Sequence, residues 1–249
     1  MSLLSLIELH TMNSTTTVQD IVRKLPSASA VFLRNGIDYC CGGKLTLGEA
    51  CESASADPHT VLRALEALSF SEGTAALHMD LWKTDFLLEY IVHNHHDYVR
   101  SASPVIREKL KKVRTKHGER FPDICAISEL FDDIIQTLQG HLQDEEENLF
   151  PQMRAWSHSI DTGLHSEHTN IHLLRSEVRK HEMEHVDVGK KLERMRAITN
   201  NFTPPAGACQ THQAAYHLLH EFCDDLMQHV FIENAVLFSK LDQQPLTIL

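Results

Sequence analysis

The chain has 249 residues, 42% hydrophobic and 23% charged, which suffices for one large domain or for a bundle with a small appended module. A formal net charge of −11 leaves no electrostatic footprint for a nucleic-acid partner. No apolar run reaches the roughly 18 residues of a membrane span, and the apolar start at residues 3–7 lacks the flanks of a signal peptide, so the sequence reads as cytoplasmic with reduced thiols.

In chain order, residues 14–70 read as a small helical module. Thr17 can cap a helix over 18–25 that Pro26 stops, and a second helix over 27–35 ends at Gly36. A turn-rich segment follows, Asp38-Tyr39-Cys40-Cys41-Gly42-Gly43-Lys44. Thr46 then caps a third helix, Asp57-Pro58 opens a fourth ending near Leu68, and 69–74 reads as a linker. The second domain, 78–242, is helical throughout. Long helices are predicted over 81–101, 128–150, 170–200 and 211–240, with a solvated piece over 105–117 beyond Pro104. Period-two alternation is almost absent. The fold class is therefore all-α, an antiparallel four-helix bundle with a small N-terminal helical domain.

Eighteen histidines stand out against only 10 glycines, and histidine is the commonest transition-metal ligand. Most can be scattered surface groups, so spacing has to decide. The second long helix carries His141-x-x-x-Glu145-x-x-x-Leu149-Phe150 and the fourth carries His229-x-x-x-Glu233-x-x-x-Leu237-Phe238, at a constant offset of 88 residues. Residues four apart share a helix face. Here that face is otherwise apolar, with Leu138 and Leu142 beside the first copy and Phe222, Leu226 and Val230 beside the second. A carboxylate on a core-facing stripe is costly unless it is paired or metal-bound. A single such pair is more often an ordinary surface pair; two copies in register reverse those odds.

The first and third long helices should supply the other ligands. His96 lies 89 residues before His185, close to the same repeat. Periodicity leaves His95 and His96 open, reads His93 as solvated, and makes His181 weaker than His185. Asp97, Glu184 and Asp187 are read as surface charge, although each could support a ligand. Four imidazoles and two carboxylates suit two first-row ions, iron or manganese, rather than a structural zinc or calcium site. With one bridging oxo or hydroxo group, about two of roughly twelve octahedral positions stay open for small molecules.

These residues resemble the repair-of-iron-centres family, hemerythrin-like di-iron proteins tied to the recovery of damaged iron–sulfur clusters. The resemblance rests on 38–44 preceded by Pro26-Ser27-Ala28-Ser29-Ala30, on 141–151, on 224–238, and on Asn200-Asn201-Phe202-Thr203-Pro204-Pro205 with Ala208-Cys209. It implies His96, His141, His185 and His229 as terminal ligands of two non-haem irons, and Glu145 and Glu233 as bridging carboxylates. It prefers His96 to His95 because the family's first ligand directly precedes an aspartate, here Asp97. It implies a functional thiol pair at Cys40 and Cys41. It also implies nitric oxide, oxygen or peroxide as small-molecule partners, damaged iron–sulfur proteins or a cluster scaffold as protein partners, and a possible homodimer. The chain departs from the pattern at Ser239, where proline is expected, and in a longer 155–170 connection carrying His158, His165 and His168. The rival readings are an oxygen- or nitric-oxide-binding or sensing hemerythrin and a purely structural bundle.

Overall fold

The computed structural model describes residues 13–71, 79–163 and 170–242. Among these residues there is no strand, and one isolated bridge joins Thr17 and Thr46. The chain divides into two compact units: Thr84–His229, and the residues before it together with those from Val230 onward.

The first unit opens with α1 (Val18–Lys24), α2 (Ala28–Arg34), α3 (Leu47–Ser53) and α4 (Pro58–Ser71). The predicted caps form. The Thr17 side chain accepts from the Asp20 amide, and Thr46 and Glu49 make a reciprocal capping box. After α2, Gly36 takes the left-handed conformation at φ 68°, the turn that glycine allows at no steric cost. The fourth helix outlasts its predicted end and takes in 69–71, the start of the expected linker; 72–78 lie outside the described residues. The unit's core joins Val18, Ile21, Phe32, Ile37, Leu47 and Val61 to Ile232, Val236 and Leu241 from the end of the chain.

The second unit is built from four long helical rods. The first is α5 (Thr84–Ile91), a π turn (Val92–His96) and α6 (Asp97–His117) without a break. Pro104 was expected to end it and does not. The proline sits on the exposed face, where the carbonyl that loses its donor meets water rather than core. The second rod is α7 (Asp123–Asp144), a π turn (Glu145–Leu149) and α8 (Phe150–Thr162), again longer than predicted. Pro151 is tolerated because the π turn puts it in the first turn of α8, where its missing N–H has no helical partner to lose. The third rod is α9 (Ile171–Ile198), capped by the Asn170 side chain on two amides; His158 belongs to α8, and His165 and His168 lie outside the described residues. The fourth is α10 (Gln210–Phe231), whose last two residues, with the π turn (Ile232–Leu237) and α11 (Ser239–Asp242) that follow, belong to the first unit. Phe131 and Phe222, both fully buried, meet edge-to-face at 5.3 Å in the core of this unit.

Candidate metal centre

Glu145 is the centre of the buried polar cluster. Its side chain is 0% exposed and neither oxygen has a hydrogen-bond partner. Instead, His96 Nε2 faces one oxygen at 3.5 Å and His141 Nε2 faces the other at 3.3 Å. A second histidine stands beside each: His229 Nε2 is 3.1 Å from His96 Nε2, and His185 Nε2 is 3.0 Å from His141 Nε2. Two donors bound side by side on an octahedral ion at roughly 2.1 Å would lie about 3.0 Å apart. Ligand atoms of His96, Glu145 and His229 fall within 4.8 Å of one another, and so do those of His141, Glu145 and His185. A buried carboxylate with four imidazole nitrogens and no hydrogen bond of its own is expensive in an empty protein and inexpensive around two cations. The residues therefore fit a pair of metal ions.

Glu233 lies one turn beyond His229 on the same unbroken helix and is fully buried. The repeat seen in the sequence extends to the backbone: the Phe150 amide donates to the Glu145 carbonyl, and the Phe238 amide to the Glu233 carbonyl at 2.8 Å. These five-residue hydrogen bonds define π turns, which often mark functional positions inside helices. A third runs from the Asp97 amide to the Val92 carbonyl, directly at His96, whereas α9 brings in His185 without one.

Neighbouring carboxylates set the imidazole tautomers. His96 Nδ1 lies 2.6 Å from Glu146 Oε1, and His141 Nδ1 lies 2.7 Å from Glu184 Oε2. Donating Nδ1–H to a carboxylate leaves the Nε2 lone pair pointing at the cluster. The Arg100 guanidinium, 2.7 Å from Glu146 Oε1, holds that carboxylate in place. Burial pushes Glu146 up, yet its hydrogen bonds from His96 and Arg100 outweigh this and keep it below the usual carboxylate range. The hydrogen bond from His141 holds Glu184 down in the same way. The Phe150 ring lies 5.6 Å from that of His96 and screens it.

The π turn buries both His95 and His96, between which the sequence left the choice open. His96 faces Glu145, whereas His95 Nδ1 bonds Asp225 at 2.9 Å and its ring stacks on His229 at 5.4 Å. His93 is exposed, between Glu89 and Asp97. Of the three carboxylates first read as surface charge, Glu184 bonds the His141 ring, while Asp97 and Asp187 remain exposed beside Arg100 and Lys191. Glu146 escaped the sequence reading because the run Glu145-Glu146-Glu147 looks like a solvated stretch. His181 is as buried as His185, and its Nδ1 lies 3.5 Å from Glu145 Oε1. The spacing His181-x-x-x-His185, the same as in the two His–Glu pairs, was the signal for it.

Cys40 and Cys41 lie in the first unit, in a turn organised by Asp38, whose Oδ1 accepts from the Cys40 and Cys41 amides, both at 2.9 Å. Asn234 Nδ2 donates to the Cys40 carbonyl at 3.3 Å, and the Tyr39 ring packs 5.8 Å from Phe231. The thiol pair thus rests on the helical turn that carries Glu233.

Two family models match the chain. A domain of unknown function, DUF542 (ScdA_N), covers residues 14–69, and the hemerythrin HHE cation binding domain covers residues 87–241. The chain is 32% identical to the iron–sulfur cluster repair protein YtfE of Citrobacter koseri, over 89% of this chain and 94% of the relative. It is 32% identical to the protein of that name from Yersinia pseudotuberculosis, over 87% and 91%. It is 27% identical to the iron–sulfur cluster repair protein ScdA of Staphylococcus haemolyticus, over 90% and 96%. The chain belongs to the family of iron–sulfur cluster repair proteins that join an N-terminal ScdA_N domain to a hemerythrin HHE cation-binding domain.

Proposed function

We propose that this protein repairs iron–sulfur clusters damaged by nitrosative or oxidative stress, working from a carboxylate-bridged pair of non-haem irons. The observation that carries the reading is Glu145: a fully buried carboxylate with no hydrogen bond, its two oxygens facing His96 and His141. His96, His141, His185 and His229 would hold the irons together with Glu145, and Glu233 is the second carboxylate that the family pattern implies as a ligand. Bound there, the two irons supply one-electron exchange with nitric oxide, oxygen or peroxide, and iron for rebuilding a cluster. The protein's own part is to fix the Nε2 lone pairs through Glu146 and Glu184, to shield His96 with Phe150, and to bury both bridging carboxylates away from water. Cys40 and Cys41 assist from the first unit. The relatives named as cluster repair proteins support this reading over a hemerythrin that only binds or senses oxygen, since the cysteine module has no task in that rival.

The test is the iron content and optical spectrum of anaerobically purified protein beside a Glu145→Ala, Glu233→Ala variant. Wild type should hold about two irons per chain, with oxo-bridge absorption when oxidised, and the variant should lose both. A wild type without iron, or a variant that keeps its full complement, overturns the ligand assignment and the function with it.

A further inference from the structure

We infer that Asp38, Cys40 and Cys41 form a second metal site, two thiolates and a carboxylate, for a thiophilic divalent ion such as Zn²⁺ or Fe²⁺. Ligand atoms of the three residues lie within 4.8 Å of one another. The two sulfurs are 3.6 Å apart, and Cys40 Sγ is 3.1 Å from Asp38 Oδ1. Two thiolates bound at about 2.3 Å around a tetrahedral ion lie roughly 3.8 Å apart. The adjacent thiols thus already stand at the spacing of a chelate, whereas a disulfide would need them at about 2.05 Å.

The turn builds this geometry. Asp38 Oδ1, pinned by the two cysteine amides, faces the thiol of Cys40. The chain can close over these groups because Gly42 and Gly43 follow. A Cβ on Gly42 would meet the Asp38 carbonyl at 2.9 Å, and one on Gly43 would meet the Tyr39 carbonyl at 2.8 Å. A buried Cys40 alone would satisfy a turn that merely packs. Asp38 holds the turn through its two amide bonds, and the half-buried Cys41 thiol stands beside the buried Cys40.

On binding a divalent ion both thiols ionise, two S–H protons pass to solvent, and the ion bonds both sulfurs and one carboxylate oxygen. Two sulfurs and one oxygen exclude magnesium and calcium as preferred guests. Binding here is independent of the buried centre, while a part in passing iron to or from that centre rests on the repair reading.

The experiment titrates Co²⁺ into full-length, iron-loaded protein kept anaerobic with a phosphine reductant. Thiolate-to-cobalt charge transfer in the near ultraviolet reports sulfur ligation, which the histidine–glutamate centre does not provide. Wild type should show this absorption saturating at about one equivalent, with about two protons released per ion. Cys41→Ser should abolish the two-sulfur spectrum. Asp38→Asn keeps the Oδ1 acceptor for both amides, and so keeps the turn, but should weaken binding roughly tenfold or more. A wild type without the absorption, a Cys41→Ser variant that retains it unchanged, or an Asp38→Asn variant with unaltered affinity each overturns the site. Iron content measured on the same samples separates the two claims: charge transfer without bound iron leaves this site standing and removes the repair reading, and the converse removes only this site.

Discussion

Glu146 and Cys40 show what single side chains contribute here. Glu146 touches no proposed iron position; it orients the His96 ring by taking its Nδ1–H. Replacing it with alanine should lower iron affinity by about 10–100-fold while leaving helix content unchanged, as read by competition with a chelator and by circular dichroism. Cys40 titrates abnormally in the metal-free protein because the hydrogen bond with Cys41, burial and the Asp38 charge all favour the neutral thiol. A thiol whose pKa is raised stays protonated through the neutral range and gains its reactive thiolate only at higher pH. Alkylation of Cys40, followed by peptide mass mapping, should therefore rise with a midpoint above the ordinary 9.0. Cys223, pushed up to about 12 by burial, should stay unmodified throughout that range until the protein unfolds.

Among the elements, the π turns shape the centre most. A π turn amounts to one extra residue in an α-helix, so its deletion can restore regular pitch without rotating the flanking segments. Glu147 is exposed and its side chain receives a hydrogen bond from Gln143 alone. Deleting it should give a protein that folds and stays helical but holds little iron, because Glu145 and Glu146 no longer point to separate partners. Retention of full iron in that deletion would show that the π turn is incidental. At the smaller scale of a cap, Thr46→Ala removes the side-chain acceptor of the Glu49 amide at the start of α3, while the backbone N–H at that position still reaches the Glu49 carboxylate. It should cost about 1 kcal/mol in chemical denaturation, with iron content untouched.

For the whole molecule, the buried cluster ties stability to metal. Four histidines and Glu145 are sealed in the second unit at exposures of 6% or less, and a fully buried Glu233 stands one turn beyond His229. Such groups favour folding only when cations neutralise the carboxylates. An ion bound at a hundred times its dissociation constant adds about 2.7 kcal/mol, so stripping iron with a chelator should lower Tm by roughly 5–10 °C. An unchanged Tm would mean that the cluster is stable without metal. No helix among the described residues is long and apolar enough to cross a membrane.

The sequence by itself determined the all-α class, the Thr17 and Thr46 caps and the two His–Glu pairs of the 88-residue repeat. Each of these is local: a cap is read within four residues, and an apolar stripe within a few turns. Tertiary structure decided the rest. Pro26 follows the end of α1 as expected, but Pro104 and Pro151 sit inside continuous rods, because one faces water and the other follows a π turn. Periodicity could not separate His95 from His96, since a π turn buries neighbours that an ordinary helix would divide between core and solvent. The partners Glu146 for His96 and Glu184 for His141 are 50 and 43 residues away in sequence. No helical period carries information over such distances; only the packing of one rod against another does.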